Sequence, residues 1–103
     1  MKRSILGIAL TTAALSIGAT SYAASVSVTG ATASNSGNTL SIHDTKCDGY
    51  EAYANWNSSS GNRVQATGGC YVLKSITVSP LNNFRACVDK PGGPDTCSSY
   101  VTP

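Results

Sequence analysis

Cys87 and Cys97 flank Lys90-Pro91-Gly92-Gly93-Pro94, a run in which the chain has to turn, and that arrangement constrains the fold more than any other feature. Proline removes a ladder donor and glycine admits positive φ, so the run is a turn and its flanks are the arms of a hairpin. The arms alternate as strands do. Phe84, Ala86 and Val88 take one face, Arg85, Cys87 and Asp89 the other, and residues 96–101 return. A turn centred on Gly92 sets Cys87 opposite Cys97. Directly opposed Cβ atoms of an antiparallel pair lie about 4.5–5.5 Å apart, a small adjustment from disulfide distance. The same centring opposes Asp89 and Asp95, so that end is expected to splay into solvent.

Residues 1–23 read as a signal peptide. Lys2 and Arg3 are the charged start, residues 5–17 are apolar, and Ser21-Tyr22-Ala23 is a small-x-small cleavage site. The run is too short and too rich in small residues for a span of about 20 residues. The expected mature chain is exported, with no membrane segment after cleavage. Its basic groups (Lys46, Arg63, Lys74, Arg85, Lys90) match its acidic groups (Asp44, Asp48, Glu51, Asp89, Asp95) five to five. Nothing here supports nucleic-acid binding, which needs a basic patch.

About eighty residues remain, one domain that is marginal without covalent help. Four cysteines in an exported chain supply it. Residues 50–56 and 63–67 read as a second hairpin, joined by residues 57–62. With its turn centred between Ser58 and Ser59, Cys47 falls opposite Cys70, so the pairing is Cys47–Cys70 and Cys87–Cys97. A zinc or redox site is set aside: there is no CxxC, and the single histidine stands at ligand spacing from no cysteine.

Residues 24–38 read as a flexible lead-in with a possible edge strand at Ser25-Val26-Ser27-Val28-Thr29, followed by a small, polar loop from residue 30 to 38. Residues 39–103 form the stapled β-domain. Residues 39–44 alternate with Leu40 and Ile42 inward and His43 outward. Tyr50, Ala52, Ala54 and Trp56 share the face expected to meet the core, with Glu51, Tyr53 and Asn55 opposite. Against that choice, the register above sets Val64 and Ala66 opposite Tyr53 and Glu51. Residues 71–79 read as a strand with a bulge at Lys74-Ser75. The whole is all-β: six to seven short antiparallel strands in a small disulfide-stapled β-sandwich with Greek-key-like connections.

Catalytic material is scarce. Asp44 adjoins His43, but neighbours on a strand point to opposite faces, so Asp44 does not orient His43. Asp44, Asp48 and Glu51 cluster at a turn and could hold calcium through oxygen ligands, yet they follow no calcium-loop spacing, and a solvated turn is the simpler reading. No cofactor or metal is expected. Trp56, at a strand end before a Ser/Asn/Gly loop, is either the core plug or a binding platform. With Tyr53, Asn57 and Asn62 it makes the candidate ligand-binding set.

The run Asp44-Thr45-Lys46-Cys47-Asp48-Gly49, the pair Gly69-Cys70, Arg85-Ala86-Cys87-Val88 and Asp95-Thr96-Cys97-Ser98 together resemble small exported two-disulfide proteins of filamentous actinobacteria. The likeness spans residues 40–101 and implies an extracellular β-domain with no activity attached. Size and cysteine count are also similar to the secreted amylase inhibitors of that group. Those use a Trp-Arg-Tyr triplet, whereas Trp56 is followed here by Asn57 and Ser58, so inhibition is not carried over. The expectation is a secreted, monomeric, non-enzymatic binding protein for an extracellular polysaccharide or protein. The alternative is a secreted inhibitor or toxin-like factor acting through the stapled loop at residues 90–95.

Overall fold

The computed structural model describes residues 23–103. The expected signal peptide therefore lies outside the described residues, apart from Ala23. Among the described residues, eight strands and no helix make up the fold: β1 (Ser25–Val28), β2 (Ala31–Ser36), β3 (Thr39–Asp44), β4 (Glu51–Trp56), β5 (Ser59–Ala66), β6 (Leu73–Thr77), β7 (Phe84–Asp89) and β8 (Thr96–Cys97). They form two four-stranded antiparallel sheets, ordered β1-β2-β3-β6 and β5-β4-β7-β8. Strands β3 with β6, and β4 with β7, are neighbours that are not consecutive in sequence, which gives the sandwich its Greek-key-like connections. Among the described residues no helix is long and apolar enough to cross a membrane.

Alternation places the core. Ala31 and Ala33, then Leu40 and Ile42, face inward from the first sheet. Ala52 and Ala54, Ala66, and Phe84, Ala86 and Val88 face them from the second. Six of the eleven core residues are alanines, and Phe84, Leu40 and Ile42 are the largest fully buried apolar side chains among them.

Four expectations need correction. Residues 30–38 are not a loop. Ala31, Ala33 and Asn35 are buried in β2, which has β1 on one side and β3 on the other. Thr29-Gly30 and Gly37-Asn38 are its two-residue turns. Gly30 has φ 98°, and a Cβ there would stand 3.3 Å from Val88 Cγ2, so only glycine suits this turn.

The register of β4 and β5 differs by one. Ala66 pairs with Ala52 and Val64 with Ala54, so both lie on the core face, and the conflict over which side of β4 is buried disappears. The cause is local. Asn57 and Ser58 form a two-residue turn with φ of 54° and 55°, and residues 60–62 then bulge between Trp56↔Ser59 and Asn55↔Arg63. Asn62 Nδ2 donates to Trp56 O at 3.0 Å and Asn55 Nδ2 to Asn62 O at 2.9 Å, replacing the interrupted ladder.

Tyr50 is not in the core. It precedes β4 and is 42% exposed. Finally, β6 carries no bulge at Lys74-Ser75. Its ladder with β3 is regular, with Lys74 opposite the buried Ile42 and Ile76 opposite Leu40. Lys74 thus points to the core side of an outer strand and stays exposed.

Both disulfides are Cys47–Cys70 and Cys87–Cys97. The second joins opposed residues of β7 and β8, as the hairpin requires. The first lies outside the strands. It ties the connection from β3 to β4, residues 45–50, to the connection from β5 to β6, residues 67–72, so two crossings between sheets are fastened at one end. Pairing of β7 with β8 stops at Val88↔Thr96, before Asp89 and Asp95 can oppose each other.

Candidate functional site

Besides the turn at Asn57, three surfaces gather polar side chains. The outer face of the second sheet is a charged network. Arg63 Nη2 donates to Asp89 Oδ2 at 3.0 Å, Gln65 Nε2 donates to Glu51 Oε1 at 2.7 Å, and the Arg63 guanidinium lies 3.6 Å from the centroid of the Tyr53 ring. The Tyr53 hydroxyl donates to Asp95 Oδ2, and Asp95 Oδ1 accepts from Lys90 N at 3.0 Å. Burial, then the hydrogen bond to Asp95, pushes the Tyr53 phenol up to about 12. That same bond, with the Lys90 amide, holds the Asp95 carboxyl below its ordinary value. Arg85 Nε donates to the buried Asn55 at 3.0 Å, and its guanidinium covers Tyr100 at 4.9 Å. Asn55 Oδ1 also touches Cys87 Sγ at 3.8 Å, a contact only, since a disulfide sulfur carries no proton.

The outer face of the first sheet differs. Ser25, Ser34, Ser41 and Ser75 run in one row across its four strands. Ser27 meets Thr32 at 2.8 Å and Ser41 meets Ser75 at 2.7 Å through their hydroxyls. His43, between Thr32 and Leu73, is the titratable group in these rows.

The third surface is concave. Where the Cys47–Cys70 disulfide fastens the two connections, a cavity of about 240 Å³ is lined by Asp44, Lys46, Asp48, Tyr50, Glu51 and the disulfide itself. Its walls follow from the local sequence. Asp44 ends β3 on the inward face and is 2% exposed. Its Oδ1 accepts from Lys46 N at 3.1 Å, bending the chain two residues on. Asp48 does the same for Tyr50 N at 3.0 Å, and Gly49 supplies φ 80° between them. Thr45 N reaches Gly30 O at 3.1 Å, which seats the loop on the β1–β2 turn. Across the disulfide, Tyr71 holds φ 61°, uncommon for an aromatic residue, and is 63% exposed.

The candidate ligand residues are not brought together. Tyr53 and Trp56 lie on opposite faces of β4. Tyr53 is 5% exposed beneath Arg63 and is no open platform. Trp56 is half-buried against the margin of the core, opposite Phe84. Asn57 holds the turn to the β6–β7 connection, donating to Pro80 O at 2.9 Å and accepting from Asn82 N at 2.7 Å. Asn62 fills the bulge. His43 and Asp44 do point to opposite faces of β3. The acidic turn proves to be one wall of the cavity. The other wall, at Gly69 and Cys70, was within reach of the sequence, because pairing Cys47 with Cys70 already joins the two loops. Among the described residues no three His, Cys, Asp or Glu side chains converge as metal ligands do. No protein-family model, curated protein or solved structure matches the chain.

Proposed function

We propose that this chain is an extracellular, non-enzymatic binding protein that holds one ring of a polysaccharide in the cavity beside Cys47–Cys70. One observation carries the reading: an exposed aromatic ring, Tyr50, and three carboxylates surround a cavity of about 240 Å³ on a disulfide-fastened frame. Drug-sized sites run to about 300–1,000 Å³, so this one suits a single ring. Aromatic faces stack on the apolar side of a sugar, and carboxylates accept from its hydroxyls. Two disulfides support an oxidising compartment, in keeping with the signal-like residues 1–23. The opposite orientation of His43 and Asp44 supports binding without chemistry.

The test is a pull-down of the oxidised mature protein on partly deacetylated chitin, cellulose, starch and peptidoglycan. Saturable retention that Tyr50→Ala removes and Trp56→Ala spares is the expected result. Retention by none of the four would sink the reading.

A second reading has its own observation. Residues 91–95 are exposed, yet their base is tied by Asp95 to Lys90 N and by Gly93 N to Lys90 O at 3.2 Å. A loop ordered in advance loses little entropy on docking, which suits an inhibitor of a foreign enzyme. Replacement of residues 91–94 by a flexible Gly/Ser run would then weaken capture of the target while leaving polysaccharide retention unchanged.

A further inference from the structure

We infer that the cavity selects a sugar bearing a free primary amine, an amino sugar in its ammonium form, by pairing that cation with Asp44. The inference rests on the polysaccharide reading above and sharpens its ligand.

Asp44 is the observation that demands a partner. The residue is 2% exposed and lines the cavity. Its Oδ1 takes the Lys46 amide, and Oδ2 has no donor among the described residues. A buried carboxylate oxygen left without a donor is costly, and a donor entering the cavity removes that cost.

The charge around it points to a cation. Asp48 and Glu51 stand in the same wall, and their bonds go to neutral groups, the Tyr50 amide and the Gln65 side-chain amide. Arg63–Asp89 is the only ion pair among the described residues, so Lys46, which also lines the cavity, neutralises none of the three. Three carboxylates against one ammonium leave the cavity negative. Because these carboxylates do not converge as metal ligands do, the complementary group is wider than a bare ion. An ammonium has three donors to distribute, and its bonds to carboxylates are charge-assisted. Carried on a sugar ring, it leaves the ring itself for Tyr50.

The experiment compares three soluble oligomers of equal length and linkage by calorimetry on the mature oxidised protein: glucosamine, N-acetylglucosamine and glucose. The glucosamine oligomer is expected to bind at least about tenfold more tightly than either neutral one. That preference should vanish in solution alkaline enough to neutralise the amine. Asp44→Asn should bring the three affinities together. Since a buried substitution can fail to fold, Asp48→Asn on the half-exposed wall serves as the second variant and should reduce the preference several-fold. Equal affinity for all three oligomers would overturn the amine inference and leave the polysaccharide reading standing. Binding of none would overturn both. Equal binding of a lysine oligomer, with displacement of glucosamine, would overturn selection of a sugar.

Discussion

The Tyr53 hydroxyl donates its proton to Asp95, joining the middle of β4 to the far arm of the stapled hairpin across 42 positions of sequence. Both partners shift so as to keep the bond: the phenol rises to about 12 and the carboxyl falls below its ordinary 3.8. The two pH limits follow. The phenol's folded value is raised, so its contribution is whole below the ordinary 10.0 and is lost as pH climbs through about 12. The carboxyl's folded value is depressed, so its contribution is present above 3.8 and is lost as pH falls through the folded value. Tyr53→Phe should cost about 1 kcal/mol near neutrality, because Asp95 is exposed, and should flatten both limbs. Urea unfolding across pH measures this. Limbs unchanged in the variant would refute the assignment.

Core substitutions should separate bulk from spacing. Phe84 is fully buried, with half-buried Trp56 on one side in the sheet and Val101 on the other, so Phe84→Ala should cost about 3–5 kcal/mol. Ala54 is fully buried between Val64 and Ala86 in its sheet, and Ala54→Leu should cost about 1–3 kcal/mol by overpacking. Denaturant midpoints at constant slope test the pair. A neutral Ala54→Leu would mean that the sheets separate freely.

The turn at Asn57-Ser58 holds both residues at positive φ, which glycine tolerates better than serine in the second place. Ser58→Gly should therefore stabilise, by about 0.5 kcal/mol. The gain is limited because the Ser58 hydroxyl accepts from Asn83 Nδ2 at 2.8 Å and that exposed bond is lost. A lowered melting temperature would show that the bond outweighs the strain.

Replacing each cysteine pair by serine should act through the unfolded chain. The closed loops span 10 residues for Cys87–Cys97 and 23 for Cys47–Cys70, so the losses should be similar, about 3 kcal/mol each. The consequences for binding should differ. Loss of Cys47–Cys70 removes a wall of the cavity, so polysaccharide retention should fall even where the variant is folded, whereas loss of Cys87–Cys97 should leave it. Equal retention by both folded variants would place the ligand elsewhere.

Much of this architecture was legible because it is set by local chemistry. Proline and glycine fixed the hairpin that pairs Cys87 with Cys97, and alternation placed Leu40 and Ile42 inward. What escaped depends on neighbours. Ala31-Thr32-Ala33-Ser34-Asn35-Ser36 has the composition of a loop and becomes a strand because β1 and β3 pair with both its edges. The alternation of Ala31, Ala33 and Asn35 and the Gly37-Asn38 turn were the available signals. The β4–β5 register escaped because the bulge at residues 60–62 changes the pairing by one, which no symmetrical centring can foresee. Tyr53 escaped for a similar reason: it leaves the core face and is buried all the same, by an arginine from β5 and the hairpin beyond β7.

The margins of the two sheets carry a last consequence. The outermost strands are β1 and β8, of four and two residues, β5, broken by its bulge, and β6, where Lys74 sets a charge on the core side. An open row of backbone donors and acceptors is a template on which a second chain can grow, and short, kinked or charged margins deny it. A small all-β molecule with margins of this kind is thereby protected from polymerising edge to edge into fibres.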